Sequence, residues 1–149
     1  MANSNNVLYG TSSGQGFSTL ALACNNSTAP VAQGDLLYLD TTNHIVKPLD
    51  SDAHAATFVG MALQPSAINS SLDASVQSKI ACAVGGGCVA LLKTTAADSY
   101  TMGTAVYAGA DAQTVTVVAG SNLIGYVAEG PVTGASGVYV KVLLKGKIF

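Results

Sequence analysis

Apolar and polar positions alternate along most of the chain in short runs, the spacing of strands with one face in a core. Gly, Asn, Asp and Thr separate the runs and supply the turns. Loose alternation over residues 17–23 predicts a first strand, and the polar stretch at 25–30 a loop ending at Pro30. Residues 36–39 and 44–49, joined through Asp40, Thr41, Thr42 and Asn43, predict a hairpin. A polar loop follows at 50–56, then a strand at 57–63 with Gly60 inside it. Glycine within a strand marks a bulge or a close backbone approach. Residues 79–93 read as two strands joined through Gly85, Gly86 and Gly87. Residues 100–107, 114–118, 123–128 and 138–144 complete the strands, with turns at 109–113 and 130–137. Segment 65–78 fits two readings. Leu72, Val76 and Ile80 lie four apart and Ser70 with Asp73 suits a capping box, which permits helical turns; a structured loop suits the segment equally.

Two stretches share one grammar. Gly34 with the strand after it and the strand around Gly60 align with Gly103, its strand and the strand around Gly125. The offset is 69 residues at the first glycine and 65 at the second. The chain thus holds an internal repeat, approximately 31–63 and 100–128. Two copies are too few for a solenoid. They suit an all-β fold, a small β-barrel or β-sandwich built from two similar halves, forming a single β domain over 17–149. Residues 1–16 are rich in Asn, Ser and Gly around one apolar island, Val7, Leu8 and Tyr9, and read as a flexible N-terminal arm.

Composition sharpens this picture. Of 149 residues only 6 are basic and 8 acidic, 49% are apolar, and arginine is absent. Disorder needs low hydrophobicity and many charges, and phosphate binding needs a concentrated basic face, so an unfolded chain and a nucleic-acid partner are both excluded. A surface so poor in charge does little to repel other proteins, which predicts that neighbouring subunits cover much of it. The first residues have neither a basic nor an apolar stretch of a secretory signal, and the most apolar run, 80–92, is too short for a bilayer, so cytosolic synthesis and no membrane contact are expected. Three cysteines, Cys24, Cys82 and Cys88, do not make a disulfide framework. A hairpin turning at the glycines would let Cys82 and Cys88 face one another; buried free thiols fit a reducing cytosol better.

No reactive constellation emerges. Gly10, Ser12 and Gly14 match a nucleophile elbow in letters, but that motif needs a strand-to-helix turn in an α/β sheet. His44 and His54 with Asp50 and Asp52 are too sparse for a metal shell and read as surface residues. The remaining acids fall in turns, where aspartate caps backbone amides. Tyr38, Tyr107, Tyr126 and Tyr139 fall on strands and suit a core or an interface. The expectation is a protein that is not an enzyme and takes no cofactor or metal.

The repeated block also resembles a known family. The runs beginning at Val31, Phe58, Gly87, Met102, Ile124 and Val138 are similar, in glycine and hydrophobic spacing over roughly 28–145, to the small capsid decoration (cement) proteins of tailed bacteriophages. Segment 65–78 looks like an insertion against that pattern. The resemblance implies a barrel or sandwich assembled as a homotrimer on the outside of the head, where it clamps major capsid protein subunits. Made in the host cytoplasm, such a chain ends on the outer surface of the virion. On that reading Val7, Leu8, Tyr9 and Phe17 are the candidate contacts to the capsid or to the next protomer, by strand addition to a neighbour's sheet edge. A trimeric fibre-tip or receptor-binding β domain is the alternative.

Overall fold

Short alternating runs broken by turn residues fold as strands, because each run can bury one face and none is long enough for a stable helix. In the computed structural model, which describes residues 7–11, 18–25, 28–66, 78–84, 88–95, 98–120, 122–134 and 137–145, the protein is nearly all β. The strands are β1 (Val7–Thr11), β2 (Ser18–Cys24), β3 (Leu36–Asp40), β4 (Ile45–Pro48), β5 (Phe58–Ala62), β6 (Ser78–Val84) and β7 (Cys88–Thr94). They continue as β8 (Asp98–Tyr100), β9 (Ala105–Ala108), β10 (Thr114–Thr116), β11 (Leu123–Glu129), β12 (Val132–Gly134) and β13 (Tyr139–Leu144). One 3-10 turn, His54–Thr57, sits in the loop between β4 and β5.

Two five-stranded units result. The first is an antiparallel sheet in the order β2-β6-β5-β3-β4. The second has the order β7-β13-β11-β9-β10, and β10 returns to pair in parallel with β7, closing a barrel. The connectivity is the same in both, so each half of the chain builds its own sheet. β6 and β7, adjacent in sequence, belong to different units and do not pair, so no strand pairing sets Cys82 opposite Cys88. The turn-rich stretch after β11 carries β12, which pairs with β8 in a separate two-stranded ribbon. Residues 67–77, most of the segment 65–78 with two readings, lie outside the described residues.

Register makes the equivalence residue by residue. Leu36 pairs with Met61, Leu37 with Gly60 and Tyr38 with Phe58, leaving Val59 as a bulge. Ala105 pairs with Tyr126, Val106 with Gly125 and Tyr107 with Leu123, leaving Ile124 as a bulge. A Cβ on Gly60 would lie 1.9 Å from the Ala83 carbonyl oxygen of β6, and one on Gly125 2.1 Å from that of Leu143 on β13. Only a residue without a side chain lets the neighbouring strand approach so closely. The leading turns match too: Gly34 and Gly103 have φ of 89° and 85°, and donate to the carbonyls of Ala62 and Val127. The equivalent turn residues His44 and Gln113 both take positive φ, 57° and 62°.

Each unit has its own interior. Cys24, Leu37, Val46, Val59, Ile80 and Cys82 come from all five strands of the first unit and form one apolar cluster. Leu92, Val106, Val115, Ile124, Val140 and Val142 do the same in the second, and this larger cluster runs on into Leu36, Met61, Phe58 and Ala83 on the outer face of the first unit. The two units are therefore welded through the outside of one of them.

Candidate interaction surfaces

The residues expected to contact a partner through the N-terminus divide. Val7, Leu8 and Tyr9 lie on β1, and Phe17 is outside the described residues. β1 pairs antiparallel with the first part of β7, on the edge whose second part is taken by β10. β1 thus adds to the edge of the chain's own barrel. The equivalent edge in the first unit, along β2, carries no ladder among the described residues, and Leu20 on β2 is 40% exposed.

The four polar residues weighed as a metal shell are only partly brought together. His54 Nδ1 lies 2.6 Å from Asp50 Oδ1, and its ring stacks on Tyr38 at 4.4 Å. Burial pushes the Asp50 carboxyl upward, but the hydrogen bond and charge of His54, with help from Ser51, outweigh it and hold the carboxyl below its usual range. This pair borders an open cleft of 360 Å³ lined by Tyr38, Lys47, Leu49, Asp50 and Gln113 among others. His44 is at the other end of β4, in the tight turn. Among the described residues no three His, Cys, Asp or Glu side chains converge on a point that suits a metal ion. Ser12 lies outside the described residues.

Turn chemistry explains several acids. Asp40 accepts from the backbone amides of Thr42 and Asn43 and from Lys47 Nζ at 2.6 Å, and Lys47 above all holds its carboxyl far below the ordinary value. Asp35 departs from this pattern. It accepts from the Ala32 amide at 2.7 Å, yet it is fully buried and its Oδ1 has no partner. Burial pushes it up to about 7. Nothing in the local sequence separates Asp35 from a surface turn residue; only the arrival of the surrounding strands buries it. The three thiols are all free and buried, and burial lifts Cys82 and Cys88 to about 12.

The join between the units rests on Gln113, which sequence inspection passes over as a turn residue. Its Oε1 accepts from the Leu36 amide at 2.6 Å, and its Nε2 donates to the carbonyls of Leu36 and Leu49, each at 2.9 Å. The β9–β10 turn of the second unit is thereby hooked over the outer face of the first. Asn122 adds a bond from Nδ2 to the Asp52 carbonyl at 2.7 Å. Alongside this hook the cross-strand row Leu36–Met61–Ala83 is buried.

The matching row in the second unit is Ala105–Tyr126–Leu143, and it faces outward. Tyr126 is 43% exposed, and elsewhere in the second unit Val118 is 59% and Met102 64% exposed. These are three of the four large hydrophobic residues exposed among the described residues. A single exposed apolar side chain needs no explanation, but their concentration in the second unit points to where an interaction surface would form. Alignment of the repeats was the signal that would have found it, since it pairs Met61 with Tyr126. The chain matches no protein-family model, no curated protein and no solved structure.

Proposed function

We propose that the chain is a structural virion protein that sits on the outer surface of a phage head as a homotrimer and cements neighbouring major capsid subunits. The observation that carries this reading is the exposure of the large apolar side chains Met102, Val118 and Tyr126 on the second unit of a body with few charges. Such a face has little electrostatic repulsion to overcome and gains by being covered. The support beneath it suits a clamp: two strand-built units share a continuous core, and load on one passes to the other through packed side chains. Binding here is carried by a surface, with no reaction assigned to any residue.

Sedimentation of particles of the source virus on a density gradient, with the fractions probed for this chain, tests the proposal. Stoichiometric comigration with heads, tailless ones included, is the expected result. The chain in free tails would overturn it in favour of a fibre-tip domain, and the chain only in soluble fractions would overturn any virion role.

A further inference from the structure

The two units are copies, so the contact between them has two ends that the chain can present again. One end is a turn: residues 111–113 of the second unit hook Leu36 and Leu49 through Gln113. The other is a sheet row, Leu36–Met61–Ala83 of the first unit, buried in the core shared with the second. Each end has an equivalent that makes no contact of this kind between the units among the described residues. The turn equivalent to 111–113 is Thr42, Asn43 and His44, exposed, with His44 in the same left-handed conformation as Gln113. The row equivalent to Leu36–Met61–Ala83 is Ala105–Tyr126–Leu143, and the repeat sets exposed Val118 where the first unit has Leu49.

We infer that a second copy of this chain docks head to tail, its first-unit turn at Asp40–His44 seated on the Ala105–Tyr126–Leu143 face of its neighbour, repeating between chains the contact that joins the two units within one. The internal interface is the template: it shows that a turn of this shape and a row of this register fit. Chemistry agrees with geometry. The row presents Tyr126 with flanking apolar side chains, and the turn is charge-balanced, since its one carboxylate, Asp40, is bonded to Lys47. A neutral imidazole at His44 has one donor and one acceptor nitrogen, the same pair of functions that Gln113 uses on backbone groups. Because head and tail are different surfaces, the contact is heterologous, and repetition closes a ring or runs on as a filament according to the angle between units. The inference does not depend on head binding; it concerns the free chain.

The test has two arms on the full chain. Sedimentation velocity at rising concentration is compared for wild type and Tyr126→Lys, with thermal unfolding confirming that the exposed substitution leaves the fold intact. Association of the wild type, weakened roughly tenfold or more by Tyr126→Lys, is expected. In the second arm His44→Cys and Val118→Cys variants are mixed and treated with a short bismaleimide; the native thiols are all buried, so background labelling is low. A covalent heterodimer from the mixture, with neither variant linking to itself, is expected. A chain that stays monomeric at all concentrations overturns the inference. So does an oligomer indifferent to Tyr126→Lys, or one in which His44→Cys links to itself. If Tyr126→Lys abolishes head binding and leaves self-association unchanged, the face belongs to the capsid and the inference fails while the proposed function stands.

Discussion

The two units share connectivity, register and bulges, yet they differ in closure and in exposure. In the second, β10 pairs with β7 and β1 fills the rest of that edge, so the barrel is ringed by backbone hydrogen bonds. In the first, β4 lies close to β2 without a ladder, and the seam is held by side chains from all five strands. Exposure runs the opposite way. The outer row of the first unit is buried by the second unit, while the outer row of the second is open to solvent. One scaffold therefore supports two outcomes: backbone pairing decides which unit is closed, and position in the chain decides which face is covered.

The equivalence of the units is tested most severely at their strand glycines. Gly60→Ala and Gly125→Ala each place a Cβ inside contact distance of a neighbouring backbone carbonyl, so each is expected to cost about 3 kcal/mol or more, roughly 10 °C in Tm, by thermal unfolding. A large loss at one site and none at the other would break the parallel.

The hook comes next. Gln113→Ala removes three buried hydrogen bonds and leaves the Leu36 amide without its acceptor, an expected loss of about 2–4 kcal/mol in urea unfolding. His44→Ala, at the equivalent exposed turn, is expected to cost less than about 1 kcal/mol in the isolated chain.

Asp35 distinguishes the units by pH, since its counterpart in the second is Thr104, which does not titrate. Its folded value is raised to about 7 from an ordinary 3.8, so between those values the folded state binds the proton that the unfolded state has lost. Stability is fully present below about pH 4, falls as pH rises towards 7, and levels off above it. Asp35→Asn is expected to flatten that slope in urea midpoints measured across pH 4–8.

The smallest effect is kinetic. Cys24 ends β2 beside the seam without a ladder, and Cys88 opens β7 inside the paired barrel. Thiol labelling under native conditions is expected to be slow at both and faster at Cys24, because local opening follows the weaker edge. Equal rates would mean that side-chain packing closes the first unit as firmly as hydrogen bonds close the second.

Much of this was legible in the chain. The alternation marked most of the strands, and the matched glycines marked the repeat at the positions where backbones crowd. Alternation marks a leading strand at 17–23, which is β2 in the structure, while β1 escapes the pattern because five residues flanked by polar sequence carry too little alternation to read. β12 was hidden in turn residues for the same reason. The offset change from 69 to 65 has a structural cause: between Pro48 and Phe58 the first repeat has four more residues than between their equivalents Val117 and Leu123, and that stretch holds the 3-10 turn whose Ala55 joins the shared core.

By itself the sequence determined the all-β character, the turn positions and the twofold repetition, since these depend on local alternation and on glycines that no other residue can replace. Only the tertiary structure decided that the second half closes into a barrel while the first forms an antiparallel sheet, that Gln113 is a buried hook while His44 in the same conformation is exposed, and that Met61 is hidden while Tyr126 is open. Those distinctions come from what is packed against a residue, and residues far apart in sequence supply that packing.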